Sequence, residues 1–260
     1  MTTAPAVQRQ VLAIVLPVVV VTAALLLMEC LRRTGALPVF IPAPSDIWAE
    51  VQRNPGLLIG NLGPTLSKAL TGYAIAAAVA LAAAGIASLI SALYAPIYNL
   101  GVGIQSVPLI ATAPLLATAL GTGAETQVII AALSSQFPML VGAMQGFRAA
   151  EDRHRELLHV LSASPRQTFR YLILPAALPH LFAGFKIAAP SSVLGAITAE
   201  WAGADRGIGA MMLYALFSYD ISKVWLSVLA VAALAGGGYA LGALAERIVV
   251  FWDKASELER

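Results

Sequence analysis

The sequence predicts an all-α, polytopic membrane protein, and two observations support this fold class. Hydrophobic residues make up 59% of the 260 residues and charged residues only 12%, a balance that soluble domains do not need. Residues 69–124 also form a stretch of 56 residues without a formal charge. Because a helix needs about 20 apolar residues to cross a bilayer core, this stretch alone can hold two crossings.

About six membrane crossings are predicted from the apolar runs. They are Val11 to Cys30, Leu66 to Tyr94, Ile97 to Leu120, Gln127 to Gly146, Leu181 to Ala202 and Val224 to Ala245. Three prolines, Pro108, Pro114 and Pro138, lie within apolar segments. They predict kinks, which a membrane helix tolerates when its neighbours satisfy the freed carbonyl groups.

Residues 1–64 are predicted to combine a membrane anchor with an external segment. The first apolar run is longer than the core of a signal peptide, and no persuasive cleavage site follows it. The stretch from Thr34 to Pro64 is rich in Pro and Gly, which predicts extended chain with one short helix. Ser45 and Asp46 are expected to cap that helix.

The basic residues predict a multi-pass protein of the cell (plasma or inner) membrane with cytoplasmic termini. With the N-terminus inside, ten of the 16 Lys and Arg residues fall on the cytoplasmic side, as the positive-inside rule expects. The Arg32-Arg33 pair after the first crossing opposes this orientation. Lys186, in the fifth crossing, is interpreted as a cytoplasmic anchor whose amine reaches the interface.

A polar loop, residues 148–180, separates the fourth and fifth crossings. Acidic residues at its start suit the positive end of a short helix whose leucines share one face. The segment Ser164–Gln167 then forms a capping box with Pro at the first helical position, which starts a second short helix. This second helix should end at Leu174, because Pro175 disfavours helical geometry in the residue before it.

The spacing of Glu156, Leu157-Leu158, Ser162 and the run Leu172 to Pro175 resembles the coupling loop of ABC importer permeases. In that family the pattern is Glu-Ala-Ala, three residues, Gly, nine residues, Ile-x-Leu-Pro. Here two leucines replace the alanines and Ser162 replaces the glycine, a change expected to alter the turn. The resemblance extends from about Leu62 to Trp252. Within the family, the sequence is similar to the branch that handles nitrate, sulfonates, taurine and thiamine-precursor pyrimidines.

This resemblance implies the type I importer permease fold, with residues 65–252 as the transmembrane domain and 253–260 as a cytoplasmic tail. It implies a permease for a small solute, working with two ABC ATPase subunits and an extracytoplasmic binding protein. A homodimer is the simplest way to supply two coupling loops, and a paralogous second permease stays open. The residues expected to contact the ATPase are Glu156, Leu157, Leu158, Ser162, Arg166, Leu174 and Pro175.

Catalysis by the chain itself is not expected. It contains no Gly-Lys dipeptide and hence no Gly-x4-Gly-Lys-Ser/Thr phosphate loop, so ATP and Mg are expected on the partner ATPase. The three histidines lack a metal-binding spacing, and Cys30 is the only cysteine. A net charge of +2 with scattered basic residues does not suggest a nucleic-acid partner.

Polar residues within the crossings are candidates for the translocation path: Gln105, Ser134, Ser135, Gln136, Glu200 and Trp201. Contacts between helices are the alternative for each neutral residue. Glu200 either lines the outer gate or lies at a water-facing rim. If Glu200 faced the path it would disfavour an anion, and Trp201 could stack on a planar ring. These two residues favour a heterocyclic solute over a sulfonate.

Two other functional classes are compatible with a helical membrane protein. An ion-coupled secondary transporter or channel would place functional ionisable residues in several crossings and needs no coupling loop. A structural anchor would have neither a polar path nor an ATPase partner. The uncharged centres of most predicted crossings and the presence of the loop favour the permease.

Overall fold

The computed structural model describes residues 6–36, 38 and 40–252, and within these residues it contains helices and no strand. The α-helices are α1 (Ala6–Arg33), α2 (Pro44–Arg53), α3 (Pro55–Leu89), α4 (Tyr94–Ser106), α5 (Leu109–Leu120), α6 (Ala124–Gly146), α7 (Asp152–Val160), α8 (Pro165–Thr168), α9 (Leu174–Trp201), α10 (Ile208–Phe217) and α11 (Ile221–Val249). The predicted all-α class is confirmed. The predicted tail, residues 253–260, lies outside the described residues.

Four helical segments are long and apolar enough to cross a membrane: α3, α6, the continuous helix Pro165–Trp201, and α11. Helices α4 and α5 satisfy the same criterion as a pair. The described residues therefore contain four candidate crossings, or five with this pair. The first predicted crossing, Val11 to Cys30, falls within α1, part of whose side chains lie outside the description.

The predicted crossing from Ile97 to Leu120 is broken at Pro108 into two helices, a sharper change of direction than the predicted kink. Helix α4 ends at Ser106, α5 begins at Leu109, and the two are bent by 90°. Pro108 causes the break, since it restricts the residue before it to extended geometry. Val107 accordingly has φ −78° and ψ 124°.

The N-terminal end of the second crossing also differs from the prediction. Helix α3 begins at Pro55, so Pro64 lies inside a helix and the predicted domain boundary at residues 64 and 65 falls within it. Membrane helices tolerate such a proline. The cap predicted at Ser45-Asp46 is also wrong, because Ala43 is the N-cap of α2. The backbone amide of Ala43 donates a hydrogen bond to the Asp46 carboxylate at 3.1 Å.

The core forms where α3, α6 and α9 pack together. Small residues let the backbones approach closely, as is usual between membrane helices. A Cβ added to Gly142 of α6 would lie 2.6 Å from the carbonyl oxygen of His180, and one added to Gly184 of α9 would lie 2.5 Å from that of Pro138. Buried alanines of α3 and buried methionines of α6 fill the space around this crossing.

The contacts show which helix ends lie together at each of the two ends of the bundle. At the end that we call the latch end, the start of α3, the end of α9 and the start of α10 meet. At the end that we call the loop end, the start of α4 meets the segment after α6, and helices α7 and α8 follow. Helix α3 therefore runs from the latch end to the loop end, and α9 runs back to the latch end.

Candidate functional site: the coupling loop, the bend cavity and the outer latch

The first helix of the polar loop, α7, ends in a Schellman motif. The amide of Ser162 donates to the carbonyl of His159 at 2.9 Å, and the amide of Ala163 donates to that of Leu158 at 2.9 Å. This pattern requires a left-handed residue, usually glycine, just beyond the helix. Ser162 has φ +55° and occupies that position. The expected change of turn is therefore wrong, because serine keeps the left-handed conformation despite its side chain.

The second helix starts where the capping box predicts. The amide of Gln167 donates to Ser164 Oγ at 3.4 Å, and the amide of Ser164 donates to Gln167 Oε1 at 2.8 Å. Pro165 takes the first helical position. The tight turn at Ser162 and this cap together hold α7 and α8 as a compact pair.

The prediction that this helix ends at Leu174 is wrong. A π-helical segment, Phe169–Ile173, continues from α8 directly into α9, and the amide of Leu174 donates to the carbonyl of Phe169. This i to i−5 pattern offers a physical reason why the helix continues, since Pro175 has no amide hydrogen to give and needs space for its ring. The loop is thus joined rigidly to a membrane helix.

The residues predicted to contact an ATPase share the surface of this loop. Glu156, Leu157, Ser162 and Arg166 are exposed, whereas Leu158, Leu174 and Pro175 are half-buried. An apolar patch accompanies them, with Val160 79% and Leu161 66% exposed. Apolar side chains so exposed beyond the end of a helix bundle are typical of a protein contact surface.

Arginines anchor the loop to the bundle. Arg155 of α7 donates from Nη2 to the carbonyl of Phe147 at 3.3 Å, and from Nε to that of Ala150 at 3.4 Å. The guanidinium of Arg148 lies 3.7 Å from the ring centroid of Tyr94, a cation–π contact that reaches the start of α4. A cleft of about 1020 Å³ remains between the loop and the end of α3.

Two of the predicted path residues meet at one cavity. Gln105 and Ser134 both line a space of about 740 Å³ at the break between α4 and α5, which we call the bend cavity. Ser135 is fully buried and donates to the carbonyl of Ala131 at 2.9 Å, so it makes a contact within its own helix. Gln136 is half-buried and does not line the cavity.

Glu200 does not lie at a water-facing rim, and it does not line the bend cavity. Glu200 is 1% exposed and its carboxylate accepts hydrogen bonds from Thr65 Oγ1 at 2.8 Å, Lys68 Nζ at 3.0 Å and the amide of Gly209 at 2.8 Å. Asn61 Oδ1 accepts from the amide of Gly207 at 3.0 Å. We call this set, Asn61, Thr65, Lys68, Glu200 and residues 207–209, the outer latch.

Trp201 and Lys186 also differ from their predicted settings. Trp201 lies beside a small apolar gap of about 120 Å³ together with Met212 and Leu216 of α10, away from the bend cavity. Lys186 forms an ion pair with Glu246 of α11. Lys186 therefore links two membrane helices, and the neighbouring carboxylate provides the charge compensation that a lysine at this depth requires.

A separate polar contact fixes the turn before α11. Asp220 caps that helix by accepting from the amide of Lys223 at 3.1 Å, and it pairs with the Lys223 amine at 2.6 Å. Burial alone would raise the pKa of Asp220, but the hydrogen bonds and charge of Lys223 outweigh it and hold this pKa below its ordinary value. In the described part of the chain, no cluster of three potential metal ligands occurs.

The sequence profile of the family described as "Binding-protein-dependent transport system inner membrane component" matches residues 87–251, which include the coupling loop. The chain belongs to this family. It is a permease subunit of an ABC importer, and its functional class is therefore confirmed. The family assignment argues against the secondary-transporter and structural-anchor alternatives.

Relatives of this permease are named for different solutes. It is 26% identical over 231 residues to the "Formylaminopyrimidine transport permease protein ThiX" of Halalkalibacterium halodurans, which covers 88% of this chain and 92% of the relative. It is 27% identical over 154 residues to the "Putative aliphatic sulfonates transport permease protein SsuC" of Bacillus subtilis, covering 59% of this chain and 56% of the relative. These similarities support the predicted branch of permeases.

A solved structure supports the fold of the permease. The chain in the "Crystal structure of an amino acid ABC transporter with histidines" aligns with a TM-score of 0.62 at 18% identity. The alignment covers 78% of this chain and 98% of that one. At this level of identity the similarity establishes the fold.

Sequence reasoning missed the partners of the buried charges. Asn61, Thr65 and Lys68 form one face of α3, at helical spacing, opposite Glu200. The available signal was Lys68 itself, the last charge before the uncharged stretch, because a charge at the membrane end of a helix needs a partner. Glu246 directly follows the sixth apolar run, and nothing in the sequence indicated that it pairs with Lys186.

Proposed function

We propose that this permease is one of two identical transmembrane subunits of an importer in the cell inner membrane. Two cytoplasmic ATPase subunits, which hold ATP and Mg, dock on the coupling loops. An extracytoplasmic binding protein delivers a small solute at the latch end. Both termini then lie in the cytoplasm, and lipid surrounds the outward faces of the helices.

The geometry of the coupling loop carries this proposal. It is a compact helix pair with an exposed apolar patch at Leu157, Val160 and Leu161. It projects beyond the bundle and is tied to it by Arg155. A rigid, partly apolar projection suits docking in a groove on another subunit, because little conformational entropy is lost on binding.

One continuous helix can transmit movement from the coupling loop to the latch end of the permease. The segment Pro165–Trp201 contains 37 residues, or about 55 Å at helical rise. One end belongs to the coupling loop and the other carries Glu200 of the outer latch. Displacement of the loop by closing ATPases would therefore move the latch end, which is the coupling needed for alternating access.

The same arrangement suggests where the solute passes. The bend cavity opens beside exposed apolar residues of the break and of α5, among them Val107 and Leu115. A second copy of the chain packed against this surface would enclose the cavity and would also supply the second coupling loop. A homodimer thus accounts for both the open side of the cavity and the need for two docking points.

Charge reversal on the coupling loop tests the proposal. Glu156→Arg should weaken docking of the ATPase, or uncouple ATP hydrolysis from uptake, while insertion of the permease stays normal. Asp205→Arg is the matched control, because Asp205 is also an exposed carboxylate but lies at the latch end. Both variants would be assembled with the ATPase and binding protein, and ATPase retention and uptake measured.

We expect loss of ATPase retention or of coupling in Glu156→Arg, and normal ATPase retention in Asp205→Arg. Normal assembly and normal uptake in Glu156→Arg would count against the assignment of the loop. Equal loss of ATPase retention in both variants would also count against it. Charge reversal at the latch end would then have the same effect as charge reversal in the coupling loop.

A further inference from the structure

The bend cavity lies at mid-depth in the bundle. Helix α4 starts at the loop end and spans 13 residues, about 20 Å at helical rise, before the break. Ser134, on the opposite wall, is near the middle of α6. Helices α4, α5 and α6 line the cavity. Its lining includes Gln105, Ser106, Val107, Pro108, Thr112 and Ser134.

A break in a membrane helix at this depth indicates a solute site. The interruption frees backbone polar groups, which are tolerated within a bilayer only where protein buries them or where they line a water-filled cavity. Here Val107 and Pro108, the two residues of the break, both line the cavity. Discontinuous helices near the midplane are a recurrent way of building transport sites.

The hydroxyl groups of the cavity present hydrogen-bond acceptors. Ser106 donates its proton to the carbonyl of Val102 at 2.7 Å, Thr112 donates to that of Leu109 at 3.0 Å, and Ser134 donates to that of Ser191 at 2.8 Å. A hydroxyl has one proton and two lone pairs. Each oxygen therefore keeps a lone pair for the solute while its proton is occupied.

Gln105 adds one amide group, with an acceptor oxygen and a donor nitrogen. The remaining walls are largely aliphatic, with leucines from α5 and α6. Such a surface matches the flat faces of a ring, and its few polar groups match polar edges. Among the side chains that line the cavity, acceptors outnumber donors, so a bound solute gains most from them if it donates N–H or O–H hydrogen bonds.

The lysines of the membrane helices are already compensated. Lys68 of α3 pairs with Glu200, and Lys186 of α9 pairs with Glu246. An anion in the bend cavity would therefore meet no lysine or arginine among the described residues that line it, while these two cations are committed to carboxylates. Placing a charge in such a setting is costly.

We propose that the bend cavity takes an uncharged, planar heterocycle bearing N–H donors, such as an aminopyrimidine, in preference to an inorganic or sulfonate anion. This inference rests on the proposed function, since it requires that the solute passes this cavity. It does not depend on Glu200 or Trp201, which the structure places elsewhere. A volume of about 740 Å³ admits a molecule of one or a few rings.

Uptake by the assembled transporter in lipid vesicles tests the solute class. One pool would contain uncharged aminopyrimidines, aminopurines and aminopteridines, and the other nitrate, bicarbonate and alkylsulfonates. We expect ATP-dependent accumulation from the first pool only. Accumulation of an anion, or of neither pool, would overturn the inference. Uptake that needs no ATP would instead overturn the proposed function, so the two failures are distinguishable.

A matched pair of threonines on α5 tests the cavity itself. Thr112→Val removes an acceptor that lines the cavity, whereas Thr118→Val removes a hydroxyl with the same kind of intrahelical bond, to Pro114 at 2.8 Å, outside the lining. For the accumulated heterocycle, we expect Thr112→Val to raise KM roughly 2- to 10-fold, the equivalent of one hydrogen bond, with kcat unchanged.

Thr118→Val should leave KM at the wild-type value. The same KM in both variants would overturn the role of the cavity hydroxyl. Both substitutions are close to isosteric and lie on one helix, but Thr112 is half-buried and Thr118 is exposed, so thermal unfolding of both variants is the control for a general effect on folding. The difference between them isolates contact with the solute.

Discussion

The Nζ atom of Lys68 lies 3.0 Å from Oε1 of Glu200, joining the start of α3 to the end of α9 across 132 residues. The Glu200 side chain is fully removed from solvent and that of Lys68 nearly so. The same carboxylate receives the amide of Gly209 at the start of α10. One buried ion pair thus fixes three elements at the latch end.

Removal of the Lys68 charge should destabilise the permease strongly. Lys68→Met leaves the Glu200 carboxylate buried without a counter-charge, a change that costs about 3 kcal/mol or more in other proteins. The measurement is thermal unfolding of the purified chain in detergent. The double variant Lys68→Met/Glu200→Gln should recover part of the loss, because it removes both charges.

Glu125→Gln is the control for the loss of a carboxylate, since Glu125 is exposed at the start of α6. It should unfold at the wild-type temperature. An unfolding temperature of Lys68→Met equal to that of the control would contradict the role assigned to the ion pair.

Gly207→Ala should disrupt the outer latch. Gly207 has φ +135°, a conformation that side chains rarely adopt, and an added Cβ would collide with the Glu200 carboxylate. We expect a lower unfolding temperature and reduced uptake. Gly63→Ala is the matched control, because an added Cβ there meets no atom within 4 Å. That substitution, within helix α3, should be neutral or slightly stabilising. Equal behaviour of the two variants would contradict the account of the latch.

Ser162→Gly should stabilise the coupling loop. Serine at φ +55° occupies a left-handed conformation that costs an L-residue about 1 kcal/mol relative to glycine. Thermal unfolding and ATPase retention of the variant would be measured together, and both should be at least as high as in the wild type. Ser67→Gly is the control, because Ser67 is exposed within α3, where glycine should destabilise. A loss of stability in Ser162→Gly would contradict the strained turn.

Labelling of single cysteines should define the topology of the broken pair α4 and α5. In a Cys30→Ser background, Ser164→Cys should react only from the cytoplasm and Gly56→Cys only from outside. The two positions are separated by α3, the α4–α5 pair and α6. If the pair re-entered the membrane from one side instead of crossing it, both cysteines would react from the same side. That result would overturn the six-crossing topology.

The apolar runs predicted the main membrane helices because bilayer thickness sets a minimum length for each crossing. The fourth, fifth and sixth predicted crossings all lie largely within α6, α9 and α11. The capping box at Ser164 is local chemistry and was also readable from the sequence. Continuation of the helix past Leu174 was not, because a π-helical segment depends on how the surrounding turns relax around Pro175.

The candidate site was predicted less completely, since its contacts join distant parts of the chain. Gln105 and Ser134 were identified as polar residues in apolar helices, but only the bend of 90° brings them to one cavity. Glu200 was identified as important, but its buried ion pair with Lys68 was not predicted. Its partners Thr65 and Lys68 are over 130 residues away, and no local pattern relates such positions.

Solute uptake by vesicles containing the purified permease, with and without its ATPase, tests the central claim most directly. The permease alone should neither bind nor hydrolyse ATP, and should not accumulate solute. With the ATPase, the binding protein and ATP, it should accumulate solute, as an assembly whose mass corresponds to two permeases and two ATPases. Accumulation by the permease alone, driven by an ion gradient without any ATPase, would contradict the account.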